Sequence, residues 1–161
     1  MRSRGEVQVD PGSLGADAFS GALELVVPYT DPELARAVLR KAAVLTAGLE
    51  ARVMLLAVHA VPFPADFRCV GSNHNFLLEQ LTTLAEESPL PVAPQVVLAR
   101  SREDGMRFAL NPNSTILVGT RKSILTTSEE RLARMLAADG HKVALLHIGK
   151  EQSVPDVRAG R

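Results

Sequence analysis

Between residues 21 and 149, short aliphatic runs alternate five times with longer amphipathic segments. The first run, Leu23 to Pro28, is almost continuously apolar, as a strand covered on both faces must be. It opens directly onto Thr30, Asp31, Pro32 and Glu33, which predicts a helix start with Thr30 as cap, a proline in the first turn and a carboxylate three residues after the threonine. Leu34, Val38, Ala42, Leu45 and Leu49 then recur at helical spacing and draw one apolar stripe, which Gly48 ends.

The same alternation predicts a second strand over 52–61, broken by Pro62 and Pro64, and a long loop to about Gly71. A helix over 73–87 buries Phe76, Leu77, Leu81 and Leu84, and Ser88 with Pro89 stops it. The third strand is 95–99. Ser101 with Asp104 caps a short helix through Leu110, although Gly105 inside it counts against helix. Residues 115–119 form the fourth strand, followed by a loop over 120–126 and a helix capped by Thr127 or Ser128, with Glu130 completing a capping box. That helix buries Leu132, Met135 and Leu136, ends at Gly140, and leads into a fifth strand over 141–148. Strands that alternate with helices in this way imply an α/β fold, a parallel sheet between helix layers, with ligands at the carboxyl ends of the strands.

Residues 1–20 mix Gly, Ser, Asp and Pro without period and read as a flexible arm or linker, residues 21–149 as the domain, and residues 150–161 as a flexible tail. At 161 residues the chain has room for one domain with a real core; chains of about 150 residues bury roughly 68–70% of their unfolded surface. Lys plus Arg and Asp plus Glu both number 18, so no net field favours nucleic acid or an anionic membrane, and a charged ligand has to be held locally. Arg2 and Arg4 have no apolar run behind them and no segment has the length of a membrane span. The lone Cys69 excludes an intramolecular disulfide. These features read as a soluble, cytoplasmic protein without direct membrane insertion.

The segments Leu25-Val26-Val27-Pro28, residues 55–62 (LLAVHAVP), residues 115–120 (TILVGT) and residues 128–136 (SEERLARML), in that order and spacing, resemble the universal stress protein family. The resemblance implies a three-layer α/β/α sandwich with a five-stranded parallel sheet in the order 3-2-1-4-5, related to the adenine nucleotide alpha hydrolases. It also implies, in many members, a homodimer through the last strand, here Val143, Leu145 and His147, and in some members bound ATP. ATP-binding members carry an aspartate after the proline of the first strand and a Gly-x-x-Gly, then Gly-Ser/Thr, after strand four, where glycines let backbone amides approach phosphates. In this chain Thr30 stands two residues after Pro28, with Asp31 adjacent. Gly119 fits the first glycine, Lys122 stands at the second, and a shorter loop reaches Ser128 without a preceding glycine.

Glycine replaced by charge leaves two readings: Arg121 and Lys122 as a cationic substitute for amide cradling of an anion such as ATP or another adenine nucleotide, or as solvated loop charges. Thr127 and Ser128 read first as helix caps. The candidate ligand residues are Thr30, Asp31, Val58, His59, Ala60, Gly119, Thr120, Arg121, Lys122, Thr127 and Ser128. No catalytic or metal constellation emerges. Cys69, His59 and His74 lack a paired-ligand or nucleophile motif, the adjacent pairs Glu86-Glu87 and Glu129-Glu130 diverge on a helix, and no serine sits in a G-x-S-x-G elbow. The expected function is a non-enzymatic stress-response or regulatory domain that binds a nucleotide or other small anion. The alternatives are a protein-binding cytosolic domain of a larger transporter or sensor system with a vestigial pocket, and a nucleotide-using enzyme on the same scaffold.

Overall fold

A computed structural model describes residues 8–9, 23–67, 71–121 and 125–149. Lys122, Cys69, most of the N-terminal arm and the C-terminal tail lie outside them. In chain order the elements are β1 (Gln8–Val9), β2 (Leu23–Pro28), α1 (Pro32–Leu45), β3 (Ala51–Ala60), α2 (Gly71–Glu87), β4 (Val92–Ala99), α3 (Arg102–Ala109), β5 (Thr115–Arg121), α4 (Ser128–Ala138) and β6 (Lys142–Ile148).

Strands β2 to β6 pair in parallel in the order β4-β3-β2-β5-β6. Counted along the chain this is the expected 3-2-1-4-5. The short β1 adds antiparallel to β4, Gln8 opposite Leu98 and Val9 opposite Val97, a pairing that the composition of residues 1–20 does not announce. Strand side chains alternate between faces, and the sheet buries both. Leu25, Val27, Val53, Leu55, Val96 and Leu117 pack against Ala35, Val38, Leu39 and Ala42 of α1 and Leu81 and Leu84 of α2. On the other face Val26, Leu56, Val97, Ile116 and Val118 pack against Met106 of α3 and Leu132, Ala133 and Leu136 of α4. The architecture is thus a three-layer α/β/α sandwich.

Helix starts follow the capping chemistry, with one correction. Ser101 Oγ accepts from the Asp104 amide at 3.1 Å and Thr127 Oγ1 from the Glu130 amide at 3.1 Å, as expected. For α1 the cap is Asp31 rather than Thr30: its Oδ1 accepts from the Leu34 amide at 2.9 Å, which places Pro32 at the first helical position where its missing N–H costs nothing. Three expected core contributors also turn outward. α1 ends at Leu45, so Leu45 and Leu49 are 57% and 62% exposed, and Phe76 in the first half of α2 is 62% exposed while Leu81 and Leu84 carry the contact with the sheet. A helical stripe longer than the strand layer it covers overhangs it.

Two glycines set the depth at which helices lie on the sheet. A Cβ on Gly105 of α3 would lie 2.5 Å from a Val58 methyl and 3.2 Å from Ala99 Cβ, so the glycine that weakens this helix intrinsically is what lets it dock. Gly119, buried in β5, faces α1, where an added Cβ would collide with Val38 and lie 3.3 Å from Leu34 Cδ1. Gly119→Ala is therefore expected to destabilise the protein by about 1–3 kcal/mol through overpacking. Denaturant unfolding measures this, and Val38→Ala in the Gly119→Ala background should recover part of the loss, whereas Val38→Ala alone should not stabilise.

Candidate functional site

The carboxyl ends of β2, β3, β4 and β5 rise on one side of the sheet, and most of the candidate residues lie there. β5 runs two residues beyond the expected strand, through Thr120 and Arg121. Thr120 is fully buried and shares a 2.8 Å hydrogen bond between hydroxyls with Thr127. One threonine thus closes the β5–α4 connection while the other caps α4, which gives both a structural role. Ser128 is exposed and donates to Glu129 Oε2 at 2.7 Å.

Arg121 reaches across from the end of β5 to the start of α1. Its Nη1 and Nη2 donate to Asp31 Oδ2 and Oδ1 at 2.8 and 3.0 Å, a bidentate pair, and Glu33 Oε2 lies 3.8 Å away. The Asp31 carboxyl is held below the usual aspartate range, first by the hydrogen bond from Arg121, against the opposing effect of burial, and then by the Leu34 amide. The same bond with Asp31 raises the Arg121 guanidinium. The cation that the sequence offers to an anionic ligand is thus already bound to a carboxylate of the chain itself.

A second guanidinium borders the same cluster. Arg102, the first residue of α3, donates from Nη2 to Thr30 Oγ1 at 3.2 Å. Burial pushes its pKa down, and the carboxylates of Glu129 and Glu103 push it back up. The sequence reading passes over Arg102, although one signal was available: a cation at the first position of a helix opposes the helix dipole and so calls for some compensating contact. Thr30, Asp31, Arg102, Arg121 and Glu129 therefore form one polar cluster over the ends of β2 and β5.

The strand β3 candidates do not join it as a unit. Val58 faces α3 beneath Gly105, and His59 faces the α2 side of the sheet near His74. Burial, then His74, lowers the His59 pKa. Its Nδ1 is buried without a hydrogen-bond partner among the described residues. Ala60 is exposed at the strand end, opposite Ala99. Beyond β3 the chain is folded over Arg100, whose guanidinium lies 4.0 and 4.3 Å from the Phe63 and Phe67 ring centres and donates to the carbonyls of Val61 and Ala65 at 3.1 and 2.6 Å. Gly119, where the family resemblance implies a phosphate-contacting glycine, is covered by α1. At the far edge, Val143 and Leu145 are half-buried against the α4-side core and His147 is exposed.

Comparison with solved structures finds a universal stress protein from Archaeoglobus fulgidus, with a TM-score of 0.53 and 17% identity over 78% of this chain and 93% of that one. The fold is that of a universal stress protein. No family model matches the chain, and no curated protein does. Within the described residues of this universal-stress-protein fold, no helix is long and apolar enough to cross a membrane and no group of three or more His, Cys, Asp or Glu is placed to hold a metal ion.

The two roles of Asp31, cap and ion-pair partner, are separable. Asn caps as well as Asp but removes the bidentate charge partner of Arg121 and leaves it Glu33 at 3.8 Å. Asp31→Asn should change stability by under about 1 kcal/mol, the scale of exposed pairs, whereas Asp31→Ala should cost about 1 kcal/mol more through the lost cap. Because the folded-state pKa is depressed, the stabilisation from Asp31 is full above the unfolded value near 3.8 and is lost as pH falls through the lower folded value. Thermal unfolding of the parent and Asp31→Asn should therefore converge in acid, and curves that stayed parallel down to low pH would contradict the assignment.

Proposed function

We propose that the chain is a non-enzymatic regulatory domain that senses a small anion, a nucleotide phosphate among them, over the ends of β2 and β5. The observation that supports this reading is the bidentate Asp31–Arg121 pair at 2.8 and 3.0 Å, with Arg102 beside it on Thr30. A phosphate would compete with Asp31 for Arg121, so binding would replace one carboxylate by another anion at the same guanidinium. Exchange of that kind loosens the start of α1 from the end of β5, a change suited to a regulatory signal. The reading assigns the site no reaction.

The β6 edge, with Val143, Leu145 and His147, is unpaired on its outer side among the described residues and supports a second component of this reading, contact with another protein surface. The cytoplasm is the compartment proposed for both roles.

Calorimetry with inorganic phosphate and with ATP tests the site. Asp31→Asn should tighten binding severalfold by removing the internal competitor, and Arg121→Ala should weaken it by about tenfold or more, the scale of one lost charge-assisted contact. Equal affinities in the parent, Asp31→Asn and Arg121→Ala would remove the anion from this site.

A further inference from the structure

Among the described residues the sheet ends on β6, a strand of seven residues, Lys-Val-Ala-Leu-Leu-His-Ile, that pairs with β5 on one side only. Natural edges are blunted by proline, bulges or inward charges, and the stretch from Val143 to Leu146 contains no proline and no charge. Beside it runs a groove of about 370 Å³. One wall is Ala37, Arg40, Lys41 and Val44, which share a face of α1 at i, i+3, i+4 and i+7, and the other is His147 and Ile148.

The charge of this groove is one-sided. Among the described residues no carboxylate lines it, and β6 carries none. Arg36, one turn before Arg40, is bonded to Glu87 at 3.1 Å, but Arg40 and Lys41 have no ion-pair partner among the described residues. Val44 beside them is 76% exposed. An exposed strand edge supplies main-chain hydrogen bonds to an added strand, and the groove alongside reads alternate side chains of that strand.

We propose that β6 and the α1 groove dock an extended acidic segment of a partner protein, which adds to the sheet edge and sets carboxylates against Arg40 and Lys41. Charge complementarity selects this occupant over a second copy of the chain. A second copy of β6, Lys-Val-Ala-Leu-Leu-His-Ile, brings no carboxylate of its own to answer Arg40 and Lys41. Alternate residues of the added strand would face the groove, and those between them would face the α4 side, where Val143 and Leu145 are half-buried.

The test uses a fluorescent peptide of alternating Glu and Val, as long as β6, read by anisotropy and by hydrogen exchange of the whole chain. The parent should bind it, lose it when added salt shortens the Debye length to about 3 Å, and show slowed exchange of β6 amides in the complex. Arg40→Glu/Lys41→Glu, two exposed positions whose change leaves the fold intact by thermal melting, should weaken binding by at least about tenfold, and an alternating Lys-Val peptide should bind the parent no better than it binds this variant. Arg121→Ala should leave peptide binding unchanged, which separates this site from the strand-end cluster. The proposal is overturned by unchanged affinity in Arg40→Glu/Lys41→Glu, by binding without protection of β6 amides, or by light scattering that finds a dimer whose β6 amides are already protected.

Discussion

Helix α1 lies so close to β5 that position 119 has room for a hydrogen and nothing larger. Much of the strand-end arrangement depends on that contact. Val38 and Leu34 press onto the strand at Gly119, so the helix start stands within reach of the end of β5 two residues later. Asp31, held at the cap by the Leu34 amide, and Arg121, held at the strand end, are then brought to bidentate distance. A wider separation between helix and sheet would carry the same two side chains beyond bidentate distance. The glycine that the family resemblance assigns to phosphate contact has a packing reason in this chain.

Among the described residues the strand-end cluster is electrostatically complete without a ligand. Arg121 is answered by Asp31 and Glu33, and Arg102 by Thr30 with Glu129 and Glu103 nearby. Sites built to hold phosphate permanently leave amides or cations uncommitted. Here the cations are committed to groups of the chain itself, and a ligand has to displace them. In the proposed reading, exchange of partners at Arg121 changes how α1 is tied to β5.

Strand β6 lies beyond β5, and α1 packs against both. A change in the tie between α1 and β5 therefore has a short physical path to the edge, through the face of α1 that carries Ala37, Arg40, Lys41 and Val44. In the proposed reading the strand-end cluster and the cationic groove share this one helix, the first reached through Asp31 at its start and the second along its outer face.

The residue pattern alone determined the alternation of strands and helices, the two-sided burial of the sheet and the caps at Ser101 and Thr127. Each of these rests on interactions within a few residues or on a period that survives in one dimension. The sequence also brought Asp31 and Arg121 under suspicion, but as separate candidates for a ligand. Their pairing across 90 positions was not legible, because it depends on the depth at which α1 packs, and that depth is set by Gly119 against Val38. Arg102 was passed over for the same reason, since its partner Thr30 is distant in the chain and near only once α3 docks through Gly105. The outward turn of Leu45, Leu49 and Phe76 likewise follows from where the strand layer stops, which no helical period encodes. Local chemistry and periodicity determined the elements and their order. Only the tertiary structure decided which charges meet and which edge stays open, because those depend on how closely the layers pack.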